Sequence, residues 1–127
     1  MEELVHVQLT FKNYELKDSG YHYQDCFWHA ETLVEAAKDI PEFEIPLAGI
    51  DLGVMPWTIK NIHSVAEHFK RVMKSDLKYP VILDETGYIC DGWHRVTKAL
   101  LLGRTHIRGK RISIMPEPDE RHEKKTE

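Results

Sequence analysis

The residues with the clearest chemical potential lie between Cys90 and Arg95, where the sequence reads Cys-Asp-Gly-Trp-His-Arg. The pattern predicts a buried strand that ends at Asp91-Gly92 and leads directly into a helix. The first N–H groups of a helix have no intrahelical partner and carry partial positive charge, so they attract anions. Gly92 would let an anion approach the backbone without meeting a Cβ. His94 and Arg95 would add charge-assisted hydrogen bonds, and we therefore predict a phosphate site here.

A plainer interpretation of the same residues stays open, in which Asp91 caps the helix and Arg95 pairs with a surface carboxylate. Charge is unevenly spread, because six of the 17 Lys and Arg residues and no acid lie between Gly92 and Pro116. The rest of the chain contains 11 bases and all 21 acids, which gives it a net charge of −10. This asymmetry fits an anion site, but a solvated strand and helix face would have the same composition.

The elements that must position this segment follow from the spacing of apolar residues. Strand patterns lie at about residues 4–11, 14–16, 43–47, 81–83, 88–90 and 107–114. Helical patterns lie at about residues 28–39, 59–74 and 93–102. Thr58 is the predicted N-cap of the second helix, and Gly103 is the predicted C′ residue of the third. The class is α+β, a small mixed β-sheet with packed helices in a single domain.

Length and composition limit the function classes. The 127 residues suit one domain, and no apolar run approaches the roughly 20 residues of a membrane span. An acidic N-terminus and two cysteines favour a cytoplasmic protein without a disulfide framework. The net charge of −4 argues against a general DNA-coating protein. DNA therefore remains possible but is not favoured, and the oligomeric state is open.

The segment from Pro80 to Gly103 resembles the signature region of the ParB/sulfiredoxin superfamily. It reads Pro-Val-Ile-Leu, then a turn, then Asp-Gly-x-His-Arg at the start of a helix. The similarity extends over about residues 45–114. It implies a ParB/sulfiredoxin-like domain at residues 45–116, a family-specific extension at residues 1–44 and a charged tail at residues 117–127. The tail has no apolar residue, and its composition predicts disorder.

The resemblance implies a bound nucleoside di- or triphosphate, such as ATP or CTP, accompanied by magnesium. Asp91 would orient the loop or hold a magnesium-bound water, and it is the first candidate for a catalytic carboxylate. The residues expected to contact the phosphate or nucleotide are Gly92, Trp93, His94, Arg95 and Lys98.

Departures from the superfamily pattern restrict the chemistry. Trp93 occupies the position of the sulfiredoxin nucleophilic cysteine, so we predict no sulfiredoxin activity and an inert buried thiol at Cys90. The Gly-Glu-Arg-Arg motif of partition ParB proteins is missing, as is space for their further domains. Free serine kinases have a similar loop and need a carboxylate after the early strand. Asp51 is the nearest candidate, with a plain turn aspartate as the alternative.

Two function classes therefore remain. One is an enzyme, an NTPase or small-molecule kinase; the other is a non-catalytic nucleotide-sensing or DNA-associated regulatory module. Trp57 and Trp93 could stack on a base, although packing is the commoner role of such residues. Cys26-x-x-His29 resembles half of a metal site, but the sequence offers no second pair, so we predict no protein-held metal.

Overall fold

The computed structural model describes residues 20–122, and the strands predicted at residues 4–11 and 14–16 lie outside this range. Within it the chain forms α1 (Ala30–Ala37), α2 (Ile62–Lys74) and α3 (Trp93–Leu101). The strands are β1 (Gly20–Tyr23), β2 (Cys26–His29), β3 (Phe43–Pro46), β4 (Val81–Leu83), β5 (Ile89–Asp91), β6 (His106–Arg111) and β7 (Glu120–Arg121). No helix in this part of the chain combines the length and apolarity needed to cross a bilayer.

The strands form two sheets. The larger has the order β3-β6-β4-β5, in which β4 and β6 are parallel and the other two pairs are antiparallel. The smaller has the order β1-β2-β7, and both of its pairs are antiparallel. Mixed strand pairing together with three helices confirms the predicted α+β class.

Strand β4 is buried on both faces, and it divides the core into two clusters. Val81 and Leu83 face a cluster that includes Val96 and Ala99 of α3. Ile82, between them, faces a second cluster with Trp28 of β2 and with α1. This alternation follows from the two-residue period of a strand. Residues 20–44 therefore contribute to the same fold as the motif segment.

Two helices begin later than their apolar spacing predicts. The N-cap of α2 is Asn61, whose Oδ1 accepts the Ser64 N–H at 2.8 Å, so the prediction of Thr58 is wrong. Helix α1 begins at Ala30 because the preceding residues pair with β1 as a strand. The end of α3 is as predicted, since Gly103 follows it with φ of +72°.

Residues 117–122, placed by composition in a disordered tail, instead pack against β2. Strand β7 pairs with Cys26 and Phe27, and the Asp119 N–H donates to the Phe27 carbonyl at 2.8 Å. Asp119 also accepts the His29 N–H through Oδ2 at 2.8 Å. Backbone pairing satisfies this segment without any apolar side chain, which is why composition did not reveal it. Residues 123–127 lie outside the described range.

Candidate functional site

Hydrogen bonds to Asp84 hold the turn between β4 and β5. This hairpin leads into the motif at Cys90–Arg95. Asp84, only 4% exposed, accepts hydrogen bonds from the backbone N–H groups of Thr86 and Tyr88 at 3.0 and 2.9 Å. It also accepts the Tyr21 hydroxyl at 3.0 Å, which ties β1 to the turn. Burial acts to raise the pKa of Asp84, but the hydrogen bond from the Thr86 hydroxyl at 2.7 Å and the bonds from these three groups outweigh it and hold the pKa below its usual value. The turn thus remains charged and rigid ahead of β5.

Gly92 is required at the junction of β5 and α3. Its φ of +114° and ψ of 18° lie in the left-handed region, which side chains other than glycine rarely adopt. A Cβ there would lie 2.7 Å from Val81 Cγ1 and 2.8 Å from Arg95 Nη2. Among the described residues, no side chain caps α3. The N–H groups of its first turn are thus left without a side-chain acceptor.

Arg95 and Asp91 neutralise each other. The Arg95 Nη2 lies 2.8 Å from Asp91 Oδ2, and each side chain is 18% exposed. The partner of Arg95 is therefore a half-buried carboxylate within the motif and not a surface carboxylate. The Arg95 Nε is buried and has no hydrogen-bond partner in the described residues. One N–H group of the guanidinium is thus without an acceptor among the described residues.

His94 does not point toward the predicted phosphate position. Its Nε2 lies 3.0 Å from His68 Nδ1 on α2, and the two rings are within 9° of coplanar. Trp57 stacks over both rings, with centroid distances of 4.4 Å to His94 and 4.7 Å to His68. Burial, and then the nearby Arg71, His68 and Arg95, lower the pKa of His94 from 6.5 to about 3. The His94 ring is therefore engaged with α2 and neutral at pH 7, so as a phosphate ligand it would contribute no charge.

Lys98, which was predicted to contact the phosphate, is hydrogen-bonded to the C-terminus of α2. Its Nζ donates to the carbonyls of Met73 and Ser75 at 3.0 and 2.5 Å, and so caps the C-terminus of α2. Lys110 caps α1 in the same way, with 3.1 Å to the Ala37 carbonyl. Cations at helix C-termini complement the macrodipole. Two of the six bases between Gly92 and Pro116 thus stabilise helix ends, so the charge asymmetry of this stretch does not by itself mark an anion site.

Trp93, the first residue of α3, lines a cleft of about 640 Å³ between β1, the hairpin turn and the loop after β3. Asp51 lies on that loop, and its Oδ1 accepts the Gly53 N–H at 2.9 Å. Asp51 thus holds a turn, as the plainer interpretation expects, and it also lines the cleft. Trp57, which stacks on the histidine pair, is not among the residues that line it. Trp93 and Asp51 are the two predicted site residues that the cleft brings together.

The thiol and metal candidates have structural roles. The Cys90 Sγ donates to the Ile82 carbonyl at 3.3 Å, and burial raises the pKa of the thiol, so it is a weak nucleophile. Cys26 and His29 are three residues apart on β2 and face opposite sides of the sheet. Within residues 20–122, no three His, Cys, Asp or Glu side chains are grouped as metal ligands.

The long-range contacts of this region had little sequence signal. His68 and His94 are 26 residues apart, and Lys98 is 23 residues from Ser75. A neutral histidine pair and a lysine cap both depend on how α2 and α3 pack, which local spacing does not specify.

Comparisons of the chain with protein-family models, with curated proteins and with solved structures found no match, so the ParB/sulfiredoxin resemblance rests on the residues of the motif.

Proposed function

We propose that the chain binds the phosphates of a nucleoside di- or triphosphate at the N-terminus of α3. One observation carries the proposal: the first turn of α3 has no side-chain cap in the described residues and adjoins a cleft of about 640 Å³ through Trp93. Backbone N–H groups at a helix N-terminus, together with the macrodipole, favour a bound anion. A cleft of this size is within the range of small-molecule sites.

The phosphate ligands differ from those expected from the sequence alone. The backbone N–H groups of Trp93 and His94 would donate to the phosphate, and the Arg95 guanidinium, which lines another pocket together with Asp91, would supply positive charge from the same helical turn. The His94 ring and the Lys98 ammonium already have partners. Binding therefore depends on the backbone geometry at Gly92 and on one guanidinium.

The residues present do not fit a protein-held magnesium ion. Asp91 is paired with Arg95 at 2.8 Å, and within residues 20–122 Asp51 is the one carboxylate that lines the cleft. Magnesium commonly enters such sites with the phosphates and with one or two carboxylates. A magnesium-bound nucleotide would thus bring the ion with it, and no step of the proposal depends on a metal.

A nucleotide-sensing module without catalysis is the second candidate. It is favoured by the engagement of Asp91 with Arg95, because a neutralised carboxylate is a poor general base. An NTPase or kinase would need Asp91 released from that pair. DNA binding gains no support, since Lys98 and Lys110 cap helices. Both cysteines are free thiols, which supports a place in the reducing cytoplasm.

The experiment is calorimetric titration with a nucleoside and its mono-, di- and triphosphate, at two salt concentrations, with magnesium or with EDTA. We expect affinity to rise with the number of phosphates and to weaken at high salt, because the contact is ionic. Release of inorganic phosphate from the triphosphate, followed in the same samples, separates the enzyme from the sensing module. Equal affinity for nucleoside and triphosphate, or no saturable heat with any of them, would contradict the proposal.

A further inference from the structure

The cleft beside α3 offers aromatic walls and one fixed carboxylate. Tyr21 and Tyr23 of β1, Tyr88 of the hairpin and Trp93 of α3 line it, together with the apolar Ile50 and Val54. Tyr23 and Tyr88 are 43% and 57% exposed, so part of each ring is accessible to a ligand in the cleft. Such walls suit a planar ring, because stacking on aromatic faces adds to the gain from burial.

Among the described residues that line the cleft, Asp51 is the one Asp, Glu, Lys or Arg. No Lys or Arg of residues 20–122 lines the cleft, so the phosphates would lie outside its centre. The Gly53 N–H holds Asp51 Oδ1 at 2.9 Å, and this bond orients the carboxylate. An ionised carboxylate accepts up to about four hydrogen bonds and donates none. Asp51 therefore favours a ring edge that presents adjacent donors.

We infer that the cleft binds the base of the nucleotide and that Asp51 selects guanine. The inference rests on the proposed function and names the base of that ligand. Guanine presents two adjacent donors, N1–H and the 2-amino group, which match the two oxygens of a carboxylate. Adenine and cytosine each present an acceptor beside a donor, which a carboxylate would repel. A site built for a hydrogen bond discriminates strongly against a ligand that lacks the matching group.

The test is titration of GTP, ITP, ATP and inorganic tripolyphosphate with the wild-type chain, with Asp51→Asn and with Asp39→Asn. Asparagine keeps the oxygen that accepts the Gly53 N–H, so the loop is preserved. Asp39 is exposed beyond the end of α1 and controls for the loss of one negative charge. ITP has N1–H but no 2-amino group, and tripolyphosphate reports the phosphate site without a base.

We expect the wild-type chain to bind GTP about tenfold tighter than ITP and at least tenfold tighter than ATP. Asp51→Asn should abolish this preference and leave tripolyphosphate affinity within about twofold, whereas Asp39→Asn should keep the preference.

If GTP and ATP bind wild type equally while tripolyphosphate also binds, the base assignment is wrong and the phosphate site stands. If Asp51→Asn keeps the GTP preference, Asp51 is not the selecting residue. If neither tripolyphosphate nor any nucleotide binds, the proposed function fails and this inference fails with it.

Discussion

Asp91 and Arg95 control the charge of the junction between β5 and α3. An arginine in the first turn of a helix is opposed by the macrodipole, whereas an aspartate just before that turn is favoured by it. Their contact at 2.8 Å, with each side chain 18% exposed, lets the helix keep its arginine beside an uncapped N-terminus. A bound phosphate would compete with Asp91 for the same guanidinium. Phosphate binding would therefore weaken the ion pair between Arg95 and Asp91.

Arg95→Met tests this pair because methionine keeps the apolar stem and removes the charge. We expect stability to fall by about 1 kcal/mol, since a half-buried carboxylate loses its partner while the helix dipole is relieved of a cation. Nucleotide affinity should fall by about tenfold or more, because the unpaired Asp91 also repels phosphate. Urea denaturation and calorimetric titration measure the two effects.

The double variant Arg95→Met with Asp91→Asn is the matched control. It removes the unpaired carboxylate, so most of the lost stability should return while the affinity stays low. Affinity that is unchanged in Arg95→Met would remove Arg95 from the phosphate site.

At the scale of elements, helices α2 and α3 hold each other through polar contacts. Lys98 caps the end of α2, and His94 pairs with His68 beneath Trp57. The sequence predicts the strand β4, the hairpin and the start of α3, because these follow from local apolar runs, turn residues and Gly92. It does not predict where Lys98 and His94 point, since both depend on a helix packing angle set by distant residues. Hence the junction of β5 and α3 was predictable from the sequence, and the contacts of the Lys98 and His94 side chains were not.

Lys98→Met should affect stability and spare ligand binding. The ammonium donates to two carbonyls at the end of α2. Its loss should lower the free energy of unfolding by about 1 kcal/mol, with nucleotide affinity unchanged. Lys60→Met is the control, because Lys60 is exposed and lies outside the helix, and it should change stability by less than about 0.5 kcal/mol. A loss of affinity in Lys98→Met alone would return Lys98 to the phosphate site.

The histidine pair makes stability depend on pH. The folded pKa of His94 is about 3, against 6.5 in its ordinary state, and burial also lowers the pKa of His68. The unfolded chain therefore binds more protons below pH 6.5, so stability falls as pH falls from 6.5 toward 3. Since His94 is partly solvated, we expect a loss of about 1 kcal/mol between pH 7 and pH 5.

Urea denaturation at both pH values measures this loss in the wild type and in His94→Asn. The variant should lose most of the pH dependence, although it is less stable at pH 7. His106→Asn is the control, since His106 is exposed, and it should keep the wild-type dependence. An equal pH dependence in His94→Asn and in the wild type would show that the pair does not remain neutral.

At the scale of the whole molecule, β4 lies between two apolar clusters. Segments that are distant in the sequence contribute residues to both clusters. Trp28 belongs to the cluster behind the larger sheet, and its indole N–H donates to the Pro116 carbonyl at 2.8 Å. Strand β7 then pairs with β2 and covers the same region. The segment from Pro116 to His122 thus closes the fold. Its role was not visible in the sequence because backbone groups make most of these contacts.

Deletion of residues 116–127 tests this closure. The deletion removes the acceptor of the Trp28 indole, the pairing of β7 and the Asp119 carboxylate that accepts the His29 N–H. We expect a loss of about 2–4 kcal/mol, from several hydrogen bonds and from partial exposure of an aromatic side chain that is 6% exposed in the intact chain. Thermal unfolding would report the loss, and tryptophan emission would shift to longer wavelength as Trp28 contacts water. Deletion of residues 123–127 alone is the matched control and should leave both measurements unchanged, because the contacts described at Trp28 and β2 are made by residues 116–122. Equal stability of the two truncated chains would contradict a structural role for residues 116–122.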